Sequence, residues 1–169
     1  LGWILDEGAR RGARIALNLA PVDSRIESYP LAKLSLLIVN RVEAQSVAGR
    51  DQIGDVLARS VSALLPETVV LLTEGKEGSI LIDPVSRSAI KTGSFEIDVV
   101  DETAAGDAFV GYFMAGLVEN KDFTTSLIEA SAAGALAVTR RGAATSIPAR
   151  QNVEELMLNQ SISQENLVP

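Results

Sequence analysis

The most informative stretch of the sequence is Val99-Val100-Asp101-Glu102-Thr103-Ala104-Ala105-Gly106-Asp107-Ala108-Phe109. A strand-like segment leads there into very small residues. The segment Ala105–Val118 follows, with the composition of a buried helix. The first N–H groups of a helix lack acceptors within it, and small side chains would let a phosphate approach them closely. The stretch therefore indicates an anion site at a helix N-terminus, although capping and tight packing are also typical of such residues.

Asp107 falls in the first turn of this predicted helix, where the helix dipole favours its ionised form. A carboxylate beside backbone donors could accept the proton of an attacking hydroxyl while the amides stabilise charge on a transferred group. Phosphoryl transfer depends mainly on positioning of this kind. The chain contains no G-x-x-x-x-G-K-[ST] sequence, so the pattern is not that of a Walker loop.

Apolar runs bounded by turn signals alternate along the chain with segments of helical periodicity. Predicted strands are Arg14–Leu19, Leu34–Val39, Thr68–Thr73, Ser79–Asp83, Ala89–Thr92 and Phe95–Val99. Predicted helices cover residues 3–11, 41–48, 51–65, Ala105–Val118, Thr125–Thr139 and Gln151–Asn159. This alternation predicts an α/β fold with a mostly parallel sheet.

The periodicity also predicts which faces are buried. Thr68–Thr73 is apolar on both faces, which is typical of a strand in the middle of a sheet covered by helices. The helices Ala105–Val118 and Thr125–Thr139 are apolar nearly all round, so we expect both to be buried. In the first helix an apolar face would be formed by Leu1, Ile4, Leu5 and Ala9.

Polar motifs follow two of the predicted strands, at the edge where open α/β sheets bind ligands. In Asn40-Arg41-Val42-Glu43, Asn40 could donate to a phosphate and Glu43 could hold a water of a magnesium ion. The same residues also match a helix capping box. The motif Thr73-Glu74-Gly75-Lys76-Glu77-Gly78 could pass beneath a nucleotide or form a hairpin turn.

A helix end followed by a loop of small residues occupies positions 137–148. The exposed carbonyl groups of a helix C-terminus suit a cation. Any helix that ends at a glycine exposes the same carbonyl groups, however, so they need not bind an ion. The paired arginines at 140 and 141 could simply complement the helix dipole.

The composition excludes several kinds of site. The 169 residues carry a net charge of −7 and include neither cysteine nor histidine, so this chain has no thiol nucleophile, Cys/His zinc site or histidine triad. The negative charge argues against nucleic acid as a partner. The longest apolar runs are too short to span a bilayer, so no membrane partner is expected. A chain without cysteine fits a reducing compartment, and we expect a cytoplasmic location.

Taken in order, the motifs resemble those of the ribokinase-like carbohydrate kinases, the phosphofructokinase-B superfamily. The matching segments are Asn18-Leu19-Ala20-Pro21, Asn40-x-x-Glu43, Thr73-x-Gly75-x-x-Gly78, Asp101-x-x-Ala104-Ala105-Gly106-Asp107 and Arg141-Gly142-Ala143-x-x-Ser146-x-Pro148. The resemblance implies part of a three-layer α/β/α sandwich with a Rossmann-like, mostly parallel sheet. Residues 1–160 would form its nucleotide-binding and catalytic C-terminal half, and residues 161–169 a frayed tail.

The resemblance also implies transfer of a phosphoryl group from ATP to a sugar hydroxyl, with ribose as the first expectation. Asp107 matches the catalytic base, and the matching anion hole is formed by Ala104, Ala105 and Gly106. Asn40 and Glu43 match a motif that organises Mg²⁺ and phosphates. Nucleotide contacts are implied for Thr73, Gly75, Gly78, Gly106, Asp107 and Ser131. Ligands of an activating K⁺ are implied at Asp101, Thr103, Ala137, Arg140, Gly142 and Ser146.

The sequence departs from the family pattern in places. Leu19 replaces a frequent proline, Arg41-Val42 replaces a more usual Glu-Thr, and Glu102 replaces a frequent threonine beside the anion hole. The family's N-terminal half and its small β lid, which supply most sugar contacts, have no counterpart here. We therefore expect weak or no turnover by this chain alone, and pairing of an exposed sheet edge with the missing half or with a second copy.

Other functions remain open at this point. The chain could be a nucleotide-binding or interaction domain without catalysis, or its longer protein could phosphorylate fructose, another sugar or a nucleoside. A flavodoxin-like or dehydrogenase domain is disfavoured, because no G-x-G-x-x-G sequence follows the early strands.

Overall fold

The computed structural model describes residues 1–22 and 25–167. The strands within these ranges are β1 (Ala16–Asn18), β2 (Leu36–Asn40), β3 (Val69–Thr73), β4 (Ser79–Ile82), β5 (Ala89–Thr92) and β6 (Gln164–Leu167). The helices are α1 (Gly2–Arg10), α2 (Arg41–Ala48), α3 (Gly54–Leu64), α4 (Ala105–Val118), α5 (Phe123–Ala137) and α6 (Arg150–Asn159). Single turns of 3₁₀ helix lie at Ile26–Ser28, Leu31–Lys33, Gly75–Glu77 and Ala144–Ser146.

The strands form one sheet in the order β1-β2-β3-β4-β5-β6. β2 pairs in parallel with both β1 and β3, and the register places Asn40 opposite Thr73. The connections at 74–78 and 83–88 are shorter than the about a dozen residues that a parallel crossover needs, so β4 runs antiparallel to β3 and β5. The predicted α/β class is confirmed, and the sheet is mixed.

The chain divides into two compact units. The first consists of Leu1–Glu74, Ile80–Ile90 and, among the described residues, 166–167. The second consists of Gly75–Ser79 and Lys91–Glu165.

The core of the first unit lies along the parallel strands. Val70, Leu71 and Leu72 of β3 are all fully buried, which confirms that this strand is covered on both faces. Leu57 and Val61 of α3 belong to the same cluster of buried side chains as Val70 and Leu72. Burying apolar side chains of this size contributes about 1.5–3 kcal/mol each, so this cluster is the main stabilising feature of the unit.

The apolar face predicted for α1 is wrong. Leu5 is 1% exposed, whereas Leu1 is 45% and Ile4 61% exposed, and Ala9 is exposed as well. The helix packs into the core of the first unit through Leu5, and Asp6 Oδ1 forms an ion pair of 2.5 Å with Lys33 Nζ. Ile4, the residue before Leu5, stays exposed, because periodicity alone does not determine which of several apolar residues faces the core.

In the second unit, α4 and α5 pack against each other. α5 buries residues around much of its circumference, as predicted, whereas α4 buries one face, with Phe109 and Phe113 inside and Val118 78% exposed. The expectation that α4 is buried all round is therefore wrong. A methyl group at Gly116 of α4 would lie 2.5 Å from Ser126 Oγ of α5, so the glycine permits this close approach.

Two further expectations are corrected. Phe95–Val99 forms no strand, and Phe95 belongs to a buried cluster with Ala132, Ala133 and Val153. Part of the tail expected to fray is ordered: Gln164–Leu167 is strand β6, and the Gly93 N–H donates to the Ser163 carbonyl just before it. The last two residues of that expected tail, 168 and 169, lie outside the described residues.

Substitutions in α4 test its packing against α5. Gly116→Ala should lower the free energy of unfolding by about 1–3 kcal/mol, because the methyl group overpacks the contact with Ser126. Gly111→Ala is the matched control, since nothing lies within 4 Å of its added methyl group. It should raise the same free energy by about 0.5–1 kcal/mol through helix propensity.

Urea denaturation of both variants measures these changes. Adding Ser126→Ala to the Gly116→Ala variant should recover part of the loss, because it removes the closest atom. Equal stability of the two alanine variants would contradict the packing assigned here.

Candidate functional site

The centre of the candidate site is the first turn of α4. Ala104 precedes the helix with φ +64°, a left-handed backbone, and makes no capping hydrogen bond through its side chain. The Ala105 N–H donates to the Glu102 carbonyl at 3.3 Å, so this donor is already paired with the segment before the helix. The next N–H groups, those of Gly106 and Asp107, have no acceptor within the helix because they lie in its first turn.

Both residues that carry these amides are open to solvent. Gly106 and Asp107 are exposed, and a methyl group at Gly106 would meet no heavy atom within 4 Å. The Asp107 carboxylate therefore stands beside backbone donors with open space next to them. This arrangement can bind an anion and place a carboxylate within reach of a hydroxyl group.

The segment before this turn is held by Asp101. Its Oδ1 accepts from the Thr103 N–H at 3.0 Å and from Thr103 Oγ1 at 2.7 Å, and its Oδ2 accepts from the Gly142 N–H at 3.2 Å. These hydrogen bonds, those of Thr103 first, lower the pKa of Asp101, and the nearby Arg141 charge adds to the effect. The Val138 carbonyl accepts the N–H groups of Val100 and Asp101 at 2.8 and 3.1 Å, which joins the segment to the end of α5.

The residues proposed as potassium ligands are thus only partly gathered by these contacts. Asp101, Thr103 and Gly142 are joined directly by hydrogen bonds. Ser146 is buried and its hydroxyl donates to the Ala143 carbonyl at 2.8 Å. The other two proposed ligands differ in exposure, with Ala137 buried and Arg140 exposed.

α5 supports the first turn of α4 from behind. A methyl group at Gly134 would lie 3.3 Å from the Ala105 carbonyl oxygen, so this glycine lets the two helices approach closely. Ser131, proposed as a nucleotide contact, lies one turn earlier in α5 and is 8% exposed. Its hydroxyl is therefore mostly enclosed by the unit.

Asn40 begins α2 as a reciprocal cap. Asn40 Oδ1 accepts from the Glu43 N–H at 3.0 Å, and Glu43 Oε2 accepts from the Asn40 N–H at 2.8 Å. The capping interpretation of this motif is confirmed. Glu43 is only 5% exposed, and burial raises the pKa of its carboxyl above the ordinary value.

The second motif begins at the end of β3 in the first unit. Thr73 lies opposite Asn40 in the parallel ladder, so the two residues end neighbouring strands at the same edge. Glu74 follows at once, and its side chain is 7% exposed. Glu74 Oε1 accepts from Arg41 Nε at 3.1 Å and from the Gly54 N–H at 3.3 Å.

The glycines of this motif belong to the second unit and form a tight turn. The Gly78 N–H donates to the Gly75 carbonyl at 3.0 Å, around the 3₁₀ turn. Gly78 has φ +91°, and a methyl group there would lie 1.9 Å from the Thr92 carbonyl oxygen. The hairpin interpretation is confirmed, and Gly78 is required by its backbone and by this close approach.

The proposed site residues therefore fall in both units: Asn40, Glu43 and Thr73 belong to the first, and the remaining ones to the second. The sequence motif contains Glu74 but assigns no ligand to it. Its position could have pointed to a role, because Arg41 and Glu74 each follow the last residue of a paired strand.

Within residues 1–22 and 25–167, no three acidic, histidine or cysteine side chains gather as a metal-binding cluster. No helix in these ranges is both long and apolar enough to cross a membrane.

Comparisons with known proteins agree with the motif pattern. The model of the pfkB family carbohydrate kinases matches residues 13–150. The chain belongs to this family. Among curated relatives, a ribokinase of Haemophilus influenzae is 32% identical over 151 residues, covering 88% of this chain and 48% of the relative. A deoxyribokinase of Salmonella typhi is 24% identical over 160 residues, covering 92% and 52%.

A solved structure supports the fold. The Arabidopsis thaliana ribokinase complexed with ribose and ATP superposes with a TM-score of 0.83 and 26% identity, covering 91% of this chain and 50% of that one. The chain spans about half the length of the relatives it matches. The structure is therefore part of a ribokinase-like α/β fold.

Backbone strain at Ala104 can be measured. Ala104→Gly should raise the free energy of unfolding by up to about 1 kcal/mol, because a non-glycine residue with left-handed backbone costs about 1–2 kcal/mol. The greater freedom of glycine in the unfolded chain offsets part of this gain. The neighbouring Ala105→Gly, inside the helix, should lower the same free energy by up to about 1 kcal/mol.

Thermal and urea unfolding of the two variants give the comparison. An Ala104→Gly variant no more stable than Ala105→Gly would show that Ala104 stores no strain.

Proposed function

We propose that this chain carries the ATP side and the catalytic base of a sugar kinase. The observation that carries the proposal is the exposed Asp107 carboxylate beside the open first turn of α4. Membership of the pfkB family supplies the reaction class, the transfer of a phosphoryl group to a carbohydrate.

Asp107 accepts the proton of the sugar hydroxyl as that oxygen forms a bond to the γ-phosphorus of ATP. The bond from the γ-phosphorus to the β,γ-bridging oxygen breaks, and ADP leaves. The anion hole expected at Ala104, Ala105 and Gly106 is shifted by one residue, because the Ala105 N–H already donates to the Glu102 carbonyl. The free N–H groups of Gly106 and Asp107 stabilise negative charge on the phosphoryl oxygens during transfer. The backbone holds these donors in place beforehand, so little reorganisation is needed at the moment of reaction.

The residues at the start of α2 fit a magnesium–nucleotide complex. The capping box occupies Glu43 Oε2, which leaves the second carboxylate oxygen to hold a water of the ion. Magnesium in such sites is held by one or two carboxylates together with substrate phosphates, so a cluster of acids is not required. When bound, Mg²⁺ neutralises charge on the phosphates. Asn40 orients Glu43, and its exposed side chain lies at the strand edge where phosphates would bind.

An activating K⁺ is proposed at Asp101, Thr103, Ala137, Arg140, Gly142 and Ser146. The Asp101 carboxylate and the carbonyl groups near the end of α5 offer oxygen atoms of the kind such an ion takes, and of the six residues Asp101, Thr103 and Gly142 are joined directly. The hydrogen bonds of Asp101 to Thr103 and Gly142 join this loop to the segment that enters α4. Thr73, Gly75, Gly78 and Ser131 are proposed as nucleotide contacts.

Ribose is the first candidate for the sugar, since ribokinases are prominent among the relatives. The deoxyribokinase relative favours a deoxypentose as the second candidate. Within residues 1–22 and 25–167, β1 is an edge strand that pairs only with β2. The full protein is proposed to complete the sugar site at this edge, either through its other half or through a second copy.

The sugar can be identified with the complete reading frame that contains this chain. ATP consumption by that protein should depend on an added sugar, with ribose, deoxyribose, fructose and nucleosides compared at equal concentration. ATP binding by calorimetry without turnover of any of them would instead support the non-catalytic domain.

Asp107→Asn tests the proposed base. In the full protein it should lower kcat by about 10²–10⁴-fold, because proton transfer is lost while the anion hole remains. Asp98→Asn is the control for net charge, since Asp98 is exposed in the extended segment before Asp101. A coupled ADP assay measures both, and an Asp107→Asn enzyme with the parental rate would refute the assignment.

Glu43→Gln separates the charge of this residue from its capping role. Glutamine still serves in a capping box, so stability at neutral pH should change by less than about 1 kcal/mol, whereas Glu43→Ala should lose about 1 kcal/mol. The Mg²⁺-dependent part of ATP affinity should fall in both variants, as calorimetry with and without Mg²⁺ would show. Unchanged Mg²⁺ dependence would contradict the role given to Glu43.

The pH dependence of stability gives a second measurement on the same variant. Because the pKa of Glu43 is raised in the folded chain, its ionisation disfavours folding as pH rises above the ordinary value of 4.5. The stability of Glu43→Gln relative to the parent should therefore increase between pH 4 and pH 7.

A further inference from the structure

Glu74 occupies an unusual position beside the start of α2. It follows Thr73 at the end of β3, and its side chain is almost completely buried, at 7% exposure. A single oxygen, Oε1, accepts hydrogen bonds from Arg41 Nε at 3.1 Å and from the Gly54 N–H at 3.3 Å. Arg41 is the first residue of α2 and Gly54 the first of α3, so one carboxylate joins the starts of two helices.

For α3, Glu74 supplies the cap that the helix itself lacks. The residue before the helix is Ile53, which has no side-chain oxygen and makes no capping bond. Gly54 begins the helix with φ +58°, and its N–H points to the Glu74 carboxylate. A carboxylate at this end satisfies a free donor and is favoured by the helix dipole.

For α2, Glu74 fixes the turn that contains Asn40 and Glu43. Asn40 and Thr73 are partners in the parallel ladder, and the next residue of each strand, Arg41 and Glu74, forms the ion pair. The pair thus continues the connection between β2 and β3 beyond the strand ends. The positive charge of Arg41 is what makes this ion pair possible.

We propose that Glu74 is a positioning residue for magnesium–nucleotide binding. Through Arg41 it holds the turn from Asn40 to Glu43 in the orientation in which Glu43 faces the magnesium ion. In this proposal Glu74 acts through Arg41 and Gly54, which donate to its Oε1, and it does not itself contact the nucleotide. This inference rests on the proposed function, since it assigns a role within the same site.

The charge-removing variants Glu74→Gln and Arg41→Gln test the pair by calorimetric ATP titration of the full protein. Each should weaken ATP binding about 3- to 10-fold in the presence of Mg²⁺ and less than about twofold in its absence. Glu67→Gln is the matched control, because Glu67 is an exposed glutamate at the opposite end of β3. It should leave both affinities unchanged.

Combination with Glu43→Gln distinguishes positioning from a general loss of stability. If Glu74 acts through the turn that carries Glu43, adding Glu74→Gln to Glu43→Gln should weaken Mg²⁺-dependent binding no further. Additive losses, or equal losses with and without Mg²⁺, would overturn the proposal. Arg41→Lys keeps the charge and should retain more affinity than Arg41→Gln.

Amide hydrogen exchange on the 169-residue chain tests the mechanical link without any nucleotide. Glu74→Gln should accelerate exchange at the Gly54 and Glu43 amides by about tenfold or more, while the Ala58 amide in the middle of α3 stays protected. An unchanged Glu43 amide would overturn the proposal whether or not ATP binds. Failure of the parent protein to bind ATP would refute the proposed function and with it the role of Glu74 in nucleotide binding. Coupling of the two amides would then remain as a structural link only.

Discussion

The candidate site depends on backbone N–H groups that a helix cannot satisfy by itself. At the start of α4 the preceding residue, Ala104, offers no capping oxygen, and Gly106 leaves open space beside the amides. Unpaired donors are tolerated there because the turn faces solvent, where water or an anion can replace a protein acceptor. The proposed chemistry at Asp107 uses these donors as the means of stabilising transferred charge.

Packing behind the turn gives it a fixed position. Gly134 brings α5 close to the Ala105 carbonyl, and the Asp101 hydrogen bonds tie the entering segment to the loop after α5. The left-handed backbone of Ala104 is held between these two anchors. The unfavourable backbone conformation of Ala104 can persist because contacts on both sides of the residue hold the chain in place.

Features that depend on local pattern could be predicted from the sequence, and those that depend on distant partners could not. The bounds of Ala105–Val118 follow from an apolar segment with a clear start, and the burial of β3 follows from residues apolar on both faces. The polar segment Gln164–Leu167 gave no strand signal, because sheet pairing relies on backbone groups of a remote neighbour. The role of Glu74 was hidden for a similar reason, since it follows from the register of β2 and β3.

The exposed face of α1 gives the protein an optical reporter. Trp3 is the single tryptophan of the sequence, and 76% of its surface meets solvent. Indole fluorescence moves to shorter wavelength when the ring leaves water, so any polypeptide that covers this helix would change the emission of the whole chain. Assembly at this face is therefore open to observation without a label, at concentrations far below those needed for structural work.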